Sequence, residues 1–386
     1  MSFFSEEVRR NPYPMFEQIR PGSPVLHNPA ADLWMVFDYD GVKRVLTDHE
    51  SFSSAVSPSG ATSQWLIFFD PPRHTKLRAL ITRAFTPRTV ADLEPRIREV
   101  SAQLLDSLMD HDEIDLVADY AVPLPLRVIS EMLGAPAVDY PRFRRWSDVI
   151  LGLSHSVSGD EKAAAAEREF GVVTEEMRGY LGELLTQRRA APRQDLLTGL
   201  VEASVDGVRL SDDEILGFFQ LLLVAGHETT TNLISNAIVS LVESPAELAR
   251  LRASPELLSP AIEEVLRYRS PVQATFRLTR RDIELHGQVI PAGKLVLPMM
   301  GSANRDPRQF QDAERFDITR DPNPHLAFGH GMHFCIGAPL SRLEAKIALP
   351  DLLARMKTIE LTTKEWEPRE AFHVHGPARL PIRFER

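Results

Sequence analysis

Residues 211–245, SDDEILGFFQLLLVAGHETTTNLISNAIVSLVESP, constrain this chain more than any other stretch. Ser211 with Glu214 three residues on forms a capping box, Asp212 and Asp213 suit the positive end of a helix, and Pro245 marks the stop. Some thirty helical residues make a rod roughly 45–50 Å long, enough to cross a whole domain. Its middle, Leu221 to Ala225, is apolar on all sides, which places it in a protein core, since the run is too short for a bilayer. A chain that must bury such a rod is mainly helical. Helical patterning indeed dominates from about residue 88 to 270, and strands gather near the ends. Residues 24–40 read as a hairpin followed by a helix, 282–299 as a second hairpin around His286, Gly287 and Gln288, and RLPIRF near the C-terminus as one more strand. The expected class is mainly α with small β-sheets (α+β). No linker or repeat divides the chain, so a single domain over 1–386 is expected.

At its centre the long helix breaks its own rules. Gly226, Thr229, Thr230 and Thr231 are poor helix formers, and His227 and Glu228 are polar groups in a dry region. Ala225, Gly226 and Thr229 share one face, so a Thr229 hydroxyl bonding back to the Ala225 carbonyl would open a small pocket with a carboxylate nearby. A simple kink with a solvated Glu228 is the alternative. Conflict of this kind is expected at functional sites.

The chain has one cysteine, Cys335, in LAFGHGMHFCIG. One thiol excludes an internal disulfide and a thiolate cluster for zinc or iron–sulfur, and it suits a reducing compartment. The N-terminal MSFFSEEVRRNPYPMF offers no apolar run of signal or membrane length, so a cytoplasmic protein that neither enters nor spans a membrane is expected. A net charge of −10 argues against general nucleic-acid binding. A lone cysteine often serves as a small buried hydrophobe. Here IGAPLSRLEAKIAL follows it with helical spacing and Pro339 near the first turn, so Cys335 precedes a helix N-terminus, which favours a thiolate. Gly329, Gly331 and Gly337 let backbone approach something flat, and Phe328 and Phe334 could line it. Such a loop suits the single axial ligand of a haem iron.

These residues resemble a family. F-G-x-G-x-x-x-C-x-G is filled by Phe328, Gly329, Gly331, Cys335 and Gly337; A-G-x-E/D-T by Ala225, Gly226, Glu228 and Thr229; and E-x-x-R by Glu264 and Arg267. Four motifs in order, with Arg315 of AERF completing the Glu–Arg cluster, are similar to the soluble bacterial cytochromes P-450, haem-thiolate monooxygenases. The resemblance implies haem b ligated by Cys335, with propionates held by His74 and Arg78 of RHTKLR, Arg277 and His333. By themselves, His74 and Arg78 also read as an exposed basic helix. The resemblance further implies that Thr229 donates a hydrogen bond in dioxygen cleavage and that Glu228 links it to solvent protons. Pro350 would end or kink the helix after Cys335.

The resemblance also implies electrons from a ferredoxin or flavodoxin with its NAD(P)H reductase. Arg73, Lys76, Arg83, Arg88, Arg342 and Lys346 form either its docking face or an ordinary solvated one. The pocket would be lined by the 53–68 loop with Trp65, the region around 150–170, Leu222, Ala225, Val272 to Phe276, and Phe372. These mostly apolar residues favour a lipophilic substrate: a fatty acid, terpenoid, steroid or macrolide. The expected form is a monomer. Two other readings stand beside it: a haem-thiolate sensor, which would use the same cysteine without needing Thr229 and Glu228, and a silent recruitment protein, a class that often loses the cysteine loop or that pair, both of which are intact here.

Overall fold

The computed structural model describes residues 5–29, 31–56, 62, 64–153 and 161–386. In chain order, the elements that matter here are β1 (Val25–Asn28), β2 (Leu33–Val36), α1 (Tyr39–Thr47), β3 (Phe52–Ser53), α2 (Arg73–Ala84), β4 (Glu113–Asp115), α3 (Pro123–Met132), α4 (Tyr140–Gly152), α5 (Glu161–Ala190) and α6 (Asp212–Glu243). After them come α7 (Leu258–Tyr268), β5 (Arg277–Thr279), β6 (Ile283–Leu285), β7 (Gln288–Ile290), β8 (Leu295–Pro298), α8 (Ala338–Arg355), β9 (Thr358–Leu361) and β10 (Pro381–Glu385). The chain forms two compact units: Met1–Ser54 with Ser101–Pro123 and Thr229–Arg386, and Ala55–Val100 with Leu124–Glu228. The boundary falls inside α6, between Glu228 and Thr229.

The first unit holds a five-stranded sheet in the order β1-β2-β8-β5-β3 and a three-stranded sheet in the order β9-β10-β4. Val25, Val36, Val296 and Phe52 of the larger sheet pack with Val42, Val45 and Leu46 of α1 into one core. The residues of the β6–β7 hairpin turn, His286 and Gly287, both have positive φ, at 51° and 73°, the type I′ geometry whose twist matches flanking strands. The second hairpin read from 282–299 is thus confined to β6 and β7. Leu295–Pro298 leaves it to run parallel to β2.

In the second unit Phe143 and Trp146 of α4, Tyr180 of α5 and Phe219 of α6 meet edge-on or tilted, with centroids 5.2–6.3 Å apart. This cluster seats the first half of α6.

Helix α6 is unbroken over 32 residues. Its start is a reciprocal capping box: Glu214 N–H donates to Ser211 Oγ at 3.2 Å, and Ser211 N–H donates to Glu214 Oε2 at 2.9 Å. Pro245 stops it by opening the next helix, Pro245–Ala253. In α8, Pro350 does not end the helix, which continues to Arg355. Buried Ile347, Ala348 and Leu349 before the proline, and Leu352 and Leu353 after it, hold both sides in the core and offset the lost hydrogen bond.

Candidate functional site

The cysteine loop is built from short backbone bonds and two left-handed glycines. Gly329 N–H donates to the Leu326 carbonyl at 2.9 Å, Cys335 N–H to the Phe328 carbonyl at 2.9 Å, and Phe334 N–H to the Gly331 carbonyl at 3.1 Å. Gly329 and Gly331 take φ of 73° and 72°, where a side chain would be strained, and a Cβ on Gly331 would stand 3.3 Å from the Leu46 carbonyl. The bonds and glycines leave the Cys335 thiol exposed at the end of the loop, three residues before Ala338 opens α8. The rings of Phe328 and Phe334 stand 6.2 Å apart next to it in the loop, and Phe334 is 41% exposed. An exposed lone sulfur on a constrained loop, flanked by apolar rings, fits the axial ligand of a flat prosthetic group.

Two successive glutamates on α7 hold this loop and the segment leading to it. Glu263 takes two bonds of 2.7 Å from Arg342 of α8 and one of 3.0 Å from His325. Although burial would raise it, these donors bring its pKa down to about 2. The Arg342 guanidinium also lies 4.5 Å from the Phe328 ring centroid. Its own pKa is raised, chiefly by Glu263 and to a lesser degree by the charge of Cys335.

Glu264 and Arg267 are wholly buried and joined by two bonds of 2.7 Å. Arg267 also donates to the carbonyls of Asn304, Ala313 and Arg315 at 2.9, 2.7 and 3.0 Å. The arginine that completes this cluster is Arg320, whose Nε lies 3.2 Å from both Glu264 oxygens. Arg315, expected in that role, offers only its carbonyl; its side chain is 61% exposed and 4.0 Å from Asp317. The backbone turn at 315–320 points the first arginine out and the second in. Glu264 further accepts from Asp317 N–H at 3.0 Å and from Asn323 at 3.2 Å, so every lone pair of this buried anion is used.

On α6, Ala225 is exposed and Gly226 and Thr229 are half-buried, spaced as one face, while His227 and Glu228 are buried. The helix shows no interruption there, and burial removes the alternative of a solvated Glu228. A Cβ on Gly226 would lie 2.1 Å from Ile129 Cδ1 of α3, so the missing side chain makes room for a core residue. His227 is a packing group: Nδ1–H donates to the Leu223 carbonyl at 2.9 Å, and Ser147 Oγ of α4 lies 3.2 Å from Nδ1.

His74 of α2 is buried and Arg78, one turn on, is half-buried, so neither stands on an exposed basic helix. Arg277 of β5 is buried and donates to the Phe276 carbonyl at 2.7 Å; His333 is half-buried. In the first unit Phe276 and Phe372 meet edge-on at 6.3 Å and pack against one core cluster, while Val272 bridges Val374 and packs against another. In the second, Trp65 Nε1 donates to Gln220 Oε1 at 3.1 Å, and Leu222 is buried. Expected pocket residues 57–61, 63 and 154–160 lie outside the described residues.

Of the expected docking cations, three arginines have partners within the chain. Arg73 donates to Gln64, Arg83 to the Ser204 carbonyl and Arg342 to Glu263, while Arg88 lies 4.0 Å from Asp92. Arg342 is therefore a fastening of α8 to α7 and no loose surface charge. Lys76 and Lys346 are exposed. Sequence reasoning missed Glu263, Arg320 and His325. The doubled glutamate in AIEEVLR was the signal for the first.

Comparison with known proteins agrees with this geometry. The family described as Cytochrome P450 matches residues 163–376. Cytochrome P450 109 of Bacillus spizizenii is 43% identical over 98% of this chain and 93% of its own. Cytochrome P450 monooxygenase PikC of Streptomyces venezuelae is 41% identical over 99% and 93%. The crystal structure of CYP109E1 from Bacillus megaterium, in complex with testosterone, superposes with a TM-score of 0.89 at 41% identity, covering 97% of this chain and all of that one. Among the described residues no helix is long and apolar enough to cross a membrane. The exposed loop thiol, the buried Glu264–Arg267 pair and similarity along nearly the whole length make one argument: this chain belongs to the cytochrome P450 family of haem monooxygenases.

Proposed function

We propose that the protein inserts one oxygen atom into a lipophilic small molecule of steroid-like size, with Cys335 as the ligand of a haem b. The carrying observation is the exposed Cys335 thiol on a loop turned by two left-handed glycines. When bound, the haem supplies the activation of dioxygen. The chain's own residues do the rest. Arg342, held in place by Glu263, adds positive charge that favours the Cys335 thiolate over the thiol. Gly337, whose added Cβ would stand 3.8 Å from Cys335 Sγ, keeps a side chain away from the sulfur. Thr229, half-buried on the Ala225–Gly226 face, offers a hydroxyl that donates a hydrogen bond, and Glu228 holds a proton next to it in the chain. His74, Arg78, Arg277 and His333 are the propionate partners, a role that needs the donors these side chains carry. Phe276 and Phe372 supply an apolar edge to the pocket. The testosterone bound by the Bacillus megaterium relative supports a substrate of that class.

Electrons come in this reading from an acidic ferredoxin or flavodoxin with its NAD(P)H reductase. Of the six cations expected to form the docking face, Lys76, Lys346 and the exposed Arg88 keep that role. Charge reversal of both lysines slows reduction of the iron several-fold at low salt, read by stopped flow; an unchanged rate moves the docking face elsewhere.

The decisive test is the absorption spectrum of the dithionite-reduced protein under carbon monoxide. Thiolate ligation gives a strongly red-shifted Soret band that Cys335→His moves to the globin-like position. A globin-like band in the unaltered protein refutes the ligand assignment.

A further inference from the structure

Two adjacent arginines near the N-terminus have no part in the site described so far. Arg9 and Arg10 end the short helix Glu6–Arg10, whose N-cap is Ser5. Arg9 Nη1 donates to the Arg369 carbonyl at 2.7 Å, and Arg10 Nε donates to the Trp366 carbonyl at 2.7 Å, across 360 and 356 residues of chain. Arg10 also pairs with Glu6 on its own helix, which fixes its direction. In return the Arg10 carbonyl accepts from His375 Nε2–H at 3.1 Å. A carbonyl only accepts, so this ring has its proton on Nε2. Tyr13 and Trp366 meet the same ring edge-on, at 5.6 and 6.1 Å, and hold its plane.

The three bonds fall at 366, 369 and 375, on either side of Phe372. Between β9 and β10 the chain forms no helix or strand, and isolated bridges join Pro368 to Pro377 and Val374 to Val272. A segment without a ladder is placed by what fastens it from outside, and charged N–H groups on carbonyls bind more strongly than neutral ones. Phe372 packs against the cluster of Val8, Tyr13, Met15 and Phe16 and meets Phe276 edge-on at 6.3 Å. The cavity between these N-terminal residues and Phe372, Val374 and His375 measures about 20 Å³, room for one water and none for a displaced ring. The Phe372 ring therefore has nowhere to draw back to while the arginine bonds hold.

We propose that Arg9, Arg10 and His375 are positioning residues for the bound substrate: they fasten the 366–375 segment on both sides of Phe372 and make that ring a fixed limit on the size of ligand the pocket accepts. The proposal rests on the reading of Phe372 as an edge of the pocket. Specificity is then set in part by the first turns of the chain, through residues that touch no ligand themselves.

The test is the binding of imidazole, phenylimidazole and biphenylimidazole to the ferric, haem-loaded protein, read from the Soret shift. Phe372→Ala sets the direction in which loss of the ring moves the largest probe. Arg9→Ala combined with Arg10→Ala is expected to move the affinity for biphenylimidazole in that direction by about fivefold or more and to leave imidazole within about twofold. Adding Phe372→Ala to the arginine pair changes little further, since both act through one ring. Arg9→Lys with Arg10→Lys restores most of the unaltered affinity, because an ammonium still donates to a carbonyl. His375→Phe keeps a ring against Tyr13 and Trp366, loses the bond to Arg10 and moves the same probe the same way; it covers the case in which the arginine variant does not fold. Variants that melt at lower temperature yet bind all three probes as the unaltered protein does have lost a purely structural fastening, and the proposal is overturned. Phe372→Ala without effect on any probe refutes the pocket edge, and the proposal falls with it. A globin-like Soret band under carbon monoxide with the size series intact overturns the thiolate reading alone, so the failures are told apart.

Discussion

Glu263 and Glu344 lie on helices that pack together, α7 and α8, yet they finish at opposite ends of the carboxylate range. Two bonds from Arg342 and one from His325 bring the first down to about pKa 2, while burial among uncharged groups lifts the second to about 8. Burial alone does not decide the state of an acid. Glu264 shows the same rule at full burial, since Arg267, Arg320, the Asp317 N–H and Asn323 surround it with five donors in fixed geometry. The molecule keeps anions where it has arginines to spend on them, around the segment leading to Cys335, and keeps an acid where no arginine pairs with it among the described residues.

The largest way to break this comparison is to remove the cation from a fully buried anion. Arg267→Ala leaves Glu264 short of its bidentate partner and costs about 3–5 kcal/mol, enough to unfold a marginal protein, read from urea denaturation. A loss under about 1 kcal/mol means that Arg320 suffices alone.

Arg342→Ala acts on the half-buried anion and costs on the order of 2 kcal/mol at neutral pH, allowing for solvent screening. Because the folded pKa of Glu263 is depressed, its contribution is present above the ordinary carboxylate pKa of 4.5 and is lost as pH falls towards 2. The gap between the two proteins therefore closes in acid. A gap that does not depend on pH assigns the loss to the Phe328 contact.

Glu344→Gln has the opposite sign. The raised pKa means that the folded state binds the extra proton between pH 4.5 and 8, so the acid lowers stability progressively as pH rises through that window. The glutamine variant is expected to equal the unaltered protein below about pH 4 and to exceed it by roughly 4 kcal/mol at pH 8. Parallel stability curves exclude the raised pKa. Smallest of all, Arg315→Ala stays within about 0.5 kcal/mol, since its carbonyl is what the cluster uses. A cost like that of Arg320→Ala returns Arg315 to the cluster.

Much of the architecture was legible from residues close together in sequence. The Ser211–Glu214 box sets the start of α6, the His286–Gly287 pair makes the β6–β7 turn, and Pro339 with the leucines after it announces α8, because each is a signal between residues no more than four apart. The cysteine loop was legible for the same reason: its glycines and its single sulfur lie within ten residues. Arg320 against Arg315 was not, since both fall in one irregular stretch and the choice depends on how a turn fifty residues away from Glu264 aims each side chain. Arg342 read as a surface charge for want of its partner, 79 residues upstream. Gly226 read as room for a pocket before Ile129, on another helix, was seen to reach it.

By itself, then, the sequence determined the elements, their caps and turns, and a thiol poised before a helix. Those depend on local backbone preference and on residues that share a turn. Only the tertiary structure decided which charges meet, that Pro350 is carried inside a helix by the core on either side, and that Glu344 is wholly buried with no arginine paired to it among the described residues. Pairing and burial are properties of distant segments brought together, and a side chain's charge state follows from what is brought to it.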